Sequence, residues 1–167
     1  MRLLSLLALL FFAPTPTLAW QAAAPPRPAV SVMAGLGNTM AGFGGQAQAY
    51  LAGGRVGIFA GLGYMPEVDA GDWSGVSVAG GVRGFTSGRK HRAYLEVSAS
   101  PMQLQKSCFA LCERYYGVGT QAGYQLLTSG GFTFAASLGV GYTLGVPEST
   151  SKSSVLGDLG IGYTWRR

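Results

Sequence analysis

The sequence predicts an all-β fold: a closed, antiparallel, up-and-down eight-stranded transmembrane β-barrel. Three observations carry that expectation. Apolar residues recur with period two, and beyond Ala29 no stretch of helical length places them at i, i+3, i+4 and i+7. The connections between the alternating segments are short and long in turn, as a meander with one class of connection at each rim requires. Charged residues make up only 11% of the chain, against roughly 25% in a usual soluble domain.

Composition excludes other classes. At 48% apolar residues the chain is too hydrophobic for disorder. Its 27 glycines follow no Gly-X-Y period, which excludes collagen. The net charge is +5, yet the 12 Lys and Arg are scattered rather than massed on a helix, so nucleic acid is not an expected partner.

Residues 1–19 read as a secretory signal peptide, with Arg2, an apolar run over 3–13 and small residues up to Ala19 at the cleavage position. That run is about half the ~20 residues a membrane-crossing helix needs. Residues 20–28 form an Ala/Pro-rich leader in which Pro25, Pro26 and Pro28 block regular hydrogen bonding. The barrel is expected over 29–167.

Eight strands follow. Residues 30–37, 45–51, 56–64 and 75–85 alternate weakly. Over 93–101, Leu95, Val97, Ala99 and Pro101 oppose Tyr94, Glu96, Ser98 and Ser100. Over 116–126, Tyr116, Val118, Thr120, Ala122, Tyr124 and Leu126 oppose Gly and Gln. The segment 132–144 sets Phe132, Phe134, Leu138, Val140 and Tyr142 against Thr133, Ser137 and Gly139. The last, 155–165, sets Val155, Leu159, Ile161, Tyr163 and Trp165 against Asp158, Gly160, Gly162 and Thr164. Short connections fall at 52–54, 87–91 and 128–131, and long ones at 38–44, 65–74, 102–115 and 145–154.

The less apolar face is Gly, Ser, Thr, Ala and Gln, a poor surface for a soluble protein, where Lys and Glu are expected. It suits a narrow lumen, with the larger apolar face turned to lipid and the barrel closed so that no edge is left in hydrocarbon. Eight strands leave an interior that side chains fill, so no general pore is expected. Met33, Tyr50, Phe59, Arg83, Phe85 and Gln121 are the expected bulky fillers. Arg83, Glu96 and Asp158 share the inward face, where a buried ion-pair network avoids an unpaired charge. Aromatics near strand ends, among them Tyr64, Tyr116, Tyr142, Phe132, Tyr163 and Trp165, suit interfacial girdles.

On these features residues 29–167 resemble the small outer-membrane β-barrels of the OmpA and OmpX type. The resemblance is one of architecture, sharpened by Asp158, Gly160, Tyr163 and Trp165, which are similar to the final-strand signal read by the barrel-assembly machinery. Here Arg166 and Arg167 follow the last aromatic, where members of that family commonly end on it. The resemblance implies the outer membrane of a Gram-negative-type bacterium, with outer-membrane lipids and the assembly machinery as partners, short turns facing the periplasm and long loops outside. Arg27, Arg55, Arg89, Lys90, Arg92, Arg166 and Arg167 then fall on the periplasmic side with no acidic residue. They suit anionic headgroups, another acidic partner, or simply solvent. The outer loops are mildly acidic, with Glu67, Asp69, Asp72, Glu113 and Glu148 against Lys106, Arg114 and Lys152.

Cys108 and Cys112, in the longest loop of an exported chain, are expected to form a disulfide. No metal site or cofactor is expected, since His91, the single His, falls on the opposite rim from the two thiols. The Gly117, Gly119, Ala122 match to a dinucleotide fingerprint lacks the helix that the motif needs. Without a base beside a nucleophile an enzyme is not expected. The expected role is structural or surface-interacting and adhesion-like, with Trp73, Phe109, Tyr115 and Tyr116 as loop contacts for an extracellular ligand. The alternatives are a soluble exported barrel for a small apolar ligand, a lipid-modifying enzyme using carboxylates such as Asp69 or Asp72, and a narrow channel.

Overall fold

The computed structural model describes residues 27–65, 75–104, 114–145 and 152–167. Eight strands follow one another: β1 (Pro28–Gly37), β2 (Gly42–Leu51), β3 (Val56–Met65), β4 (Gly75–Phe85), β5 (His91–Leu104), β6 (Arg114–Leu127), β7 (Phe132–Thr143) and β8 (Ser153–Arg166). Each pairs antiparallel with the next, and β8 pairs with β1, so the sheet closes into a barrel. Beyond the closing seam the main chains of Arg27 and Arg167 exchange a pair of hydrogen bonds.

Period two sets the two faces of this wall. Ser31, Gln48, Arg83, Glu96 and Gln121 are buried in the lumen, whereas Leu62, Leu95, Leu138 and Val155 stand on the outside. The polarity of an ordinary globular domain is inverted, with hydroxyls, amides and charges inside and large apolar side chains outside.

All three short connections fall within one residue of expectation, at 52–55, 86–90 and 128–131, and β2 joins β3 through a 3-10 turn, Ala52–Gly54. The connection after β1 does not match. Residues 38–44 were expected as a long loop, but the chain turns over 38–41 and β2 begins at Gly42. Thr39, Met40 and Ala41 are buried. The turn folds inward because the facing walls carry glycine. A Cβ at Gly61 or Gly63 would collide with the carbonyl oxygens of Thr39 and Met40, and one at Gly160 would meet the Met40 methyl. Ser77 Oγ then donates to the Ala41 carbonyl at 2.8 Å, and Asn38 Nδ2 donates to the Pro101 carbonyl at 3.3 Å.

Pro101 also departs from expectation. Alternation puts it on the outward parity of Ala99, yet it is buried, at the last regular β5–β6 pair before the register shifts between Pro101 and Gln103. Such an irregularity bends the strand and is a usual place for a residue with no N–H. The expected signal peptide and nearly all of the leader lie outside the described residues.

Candidate functional site

The lumen is layered along the barrel axis. In the central layer Arg83 on β4 and Glu96 on β5 are cross-strand neighbours. Their side chains form an ion pair, Arg83 Nε to Glu96 Oε2 at 2.5 Å, with both side chains almost wholly buried. Arg83 Nη1 also donates to Gln46 Oε1 at 2.8 Å and Gln48 Oε1 at 2.9 Å, and Nη2 donates to Thr39 Oγ1 at 3.3 Å. The guanidinium lies over the Phe59 ring at 4.5 Å and the Tyr94 ring at 5.0 Å from the centroids. One arginine of β4 is therefore held by groups from β2, β3, β5 and the inward turn. Each anchor uses the planar, multi-donor shape that distinguishes arginine from lysine.

Asp158 joins this network differently from the expected ion pair. Gln121 Nε2 donates to Asp158 Oδ2 at 2.7 Å and to Glu96 Oε1 at 3.4 Å, so one amide links the two carboxylates. The Thr39 main-chain N–H donates to Asp158 Oδ1 at 2.7 Å, and Ser137 Oγ donates to Oδ2 at 3.3 Å. Arg83 sits on β4 and Asp158 on β8, so neutral donors from the turn and the nearer strands serve the second carboxylate. Three such donors satisfy a buried carboxylate without a cation.

Below this layer, toward the short-turn end, Tyr50, Phe85 and Tyr94 pack ring against ring, at 5.6 and 5.5 Å between centroids. Gln125 Nε2 donates to Tyr50 Oη at 2.9 Å. Arg92 lies across the stack, 3.9 Å from the Phe85 centroid, and donates to the Gly54 carbonyl. Above the ion pair, Met33, Met40 and Ala135 form an apolar cluster under the inward turn. The six expected fillers, Met33, Tyr50, Phe59, Arg83, Phe85 and Gln121, are all buried in the lumen.

The inward turn was invisible to period-two arithmetic, and with it the parts played by Thr39 and Met40. Its one signal in the sequence is the density of glycine at Gly37, Gly42, Gly44 and Gly45, which reads equally as a flexible loop. Gln46, Gln48 and Tyr94 fall on the inward parity but carry no mark of their pairing with Arg83.

The remaining expected site residues are distributed. Tyr163 and Trp165 stand on the outside, edge to face with centroids 5.0 Å apart, while Asp158 and Gly160 point inward. Tyr115 and Tyr116 are half-buried at the start of β6. Trp73, Phe109, Cys108 and Cys112, the last two with their expected disulfide, lie outside the described residues. His91 is exposed and meets the Tyr124 hydroxyl. Among the described residues no group of three or more His, Cys, Asp or Glu side chains is placed to hold a metal ion.

Compared with known protein families, with curated proteins and with solved structures, the chain finds no match.

Proposed function

We propose that the protein is a small integral outer-membrane β-barrel with a structural or surface-interaction role, exported by its N-terminal signal and closed to general solute flow. The inverted polarity of the wall carries this reading. Val155 is 77% exposed, Leu95 72% and Leu138 66%, on a wall whose opposite face buries an ion pair. Soluble proteins rarely leave contiguous apolar patches beyond about a few hundred Å². Strands of 10 to 14 residues meet the roughly 9–11 that a tilted strand needs to cross hydrocarbon. A closed ladder leaves no polar edge unsatisfied there.

The filled lumen supports the absence of a general pore. The Arg83 layer, the aromatic stack and the inward turn occupy the axis of an eight-stranded barrel, whose interior is only wide enough for side chains. The long-loop rim, with Trp73, Phe109, Tyr115 and Tyr116, is then the surface offered to partners. Tyr163 and Trp165, outward and adjacent, fit both an interfacial girdle and the assembly signal.

Fractionation with electrophoresis tests this. The mature protein is expected in the outer-membrane fraction, migrating differently in detergent before and after boiling. Vesicles that carry it are expected to retain a trapped dye. A soluble periplasmic protein with no heat shift would instead establish the exported ligand-binding barrel, and dye release would establish a channel.

A further inference from the structure

At the short-turn end the lumen opens into a cavity of about 770 Å³. Its wall takes in all three short connections and the ends of β1 and β8, so it is a cup set inside the ring of turns. Six cations line it: Arg27, Arg55, Arg89, Lys90, Arg92 and Arg166. No Asp or Glu does. Of the chain's 7 carboxylate residues, Glu96 and Asp158 are engaged in the central layer and the other five belong to the long-loop segments. Among the described residues the only ion pair is Arg83 with Glu96, so none of the six has a carboxylate partner there.

Several of these cations are held in place before any ligand arrives. Arg92 forms the floor; it is 3% exposed, and its guanidinium is stacked on Phe85 with two of its amino groups directed to Gly54 and Gln125. A guanidinium carries five N–H donors, so Arg92 keeps capacity to spare. Arg166 Nη2 is tied to the Thr128 carbonyl at 2.5 Å. Gly53, at φ +68°, lets the Arg27 guanidinium lie against the turn, where a Cβ would crowd it at 2.9 Å.

Gathering like charges around one cavity is unfavourable on its own and becomes favourable when an anion enters. Guanidinium forks fixed in advance match phosphate oxygens two at a time and lose little freedom on binding. We propose that this cup binds a soluble polyanion, a small molecule bearing several phosphate groups, with Arg92 as the floor and Arg27, Arg55, Arg89, Lys90 and Arg166 as the wall. A single phosphate engages too few of the six cations. The cup's volume falls in the usual range for small-molecule pockets, roughly 300–1,000 Å³. The site belongs to the barrel's end and does not depend on what the outer wall meets.

Titration calorimetry on the full mature chain, folded in non-ionic micelles at about 0.15 M salt, tests the site. The probes are sodium tripolyphosphate, inorganic phosphate and phosphatidylglycerol doped into the micelles. Tripolyphosphate is expected to bind saturably at one per barrel, at least about tenfold more tightly than phosphate. The exposed-turn variant Arg55→Gln/Lys90→Gln, and independently Arg89→Gln/Arg166→Gln, are each expected to weaken it by about tenfold or more while keeping the wild-type heat shift on gels. Lys152→Gln, at the opposite rim, is expected to change nothing. The proposal is overturned by unsaturable heat, by equal affinity for phosphate and tripolyphosphate, or by turn variants that fold and bind like wild type. A response to phosphatidylglycerol alone also overturns it and makes the cations a lipid-facing surface.

Discussion

Arg83 is the residue on which the interior turns. It uses Nε, Nη1 and Nη2 on acceptors from β2, β5 and the inward turn, and its plane rests on two rings. Replacing it strands Glu96, since a buried charge without its partner costs about 3–5 kcal/mol. Arg83→Met is therefore expected to lower the unfolding free energy of the folded barrel by about that amount in urea titration. Arg83→Met/Glu96→Gln removes the stranded charge as well and is expected to recover part of the loss. If the double variant is no more stable than Arg83→Met, the pair is not coupled as its geometry requires. Arg83 and Glu96 were legible in the sequence because a charge on the inward parity of a nearly uncharged wall has to find a partner. Asp158 was legible as a member of the lumen but not in its bonding, because its donors are a glutamine, a serine and a main-chain N–H.

At the scale of elements, the strands were readable and the turn between β1 and β2 was not. Period two reports which face is buried, and in this wall the lumen face carries most of the hydroxyls, amides and charges and the outer face most of the large aliphatic side chains. A turn carries no such period. Whether residues 38–41 loop out or fold in is decided by glycines on other strands, Gly61 and Gly63 on β3 and Gly160 on β8, distant from the turn in sequence. The burial of Pro101 was missed for a related reason, since period two does not report where a ladder ends in a register shift, as β5–β6 does just beyond it. The inward turn makes its own prediction. Gly61→Ala puts a methyl group against the Thr39 carbonyl and is expected to cost about 1–3 kcal/mol, as overpacking does. Gly130→Ala, with nothing within 4 Å of the new atom, is the control expected to be neutral. Equal unfolding midpoints for the two would mean that the turn does not seat on β3.

For the whole molecule, closure and inverted polarity act together. Joining β8 to β1 removes every sheet edge, and with the main chain satisfied inside the ladder the outer wall is free to be apolar. The lumen takes the polar groups the wall gives up, and its two ends differ: the inward turn fills the one, and the basic cup opens at the other. The central claim is that the outer face meets hydrocarbon, and Leu138, 66% exposed in mid-strand on β7, reports on it directly. The decisive measurement is the unfolding free energy of Leu138→Arg against wild type, both folded into phospholipid vesicles. A lipid-facing wall predicts a loss of about 2–4 kcal/mol, the cost of an arginine near the bilayer midplane. A change within about 0.5 kcal/mol, typical of a water-exposed position, would contradict it.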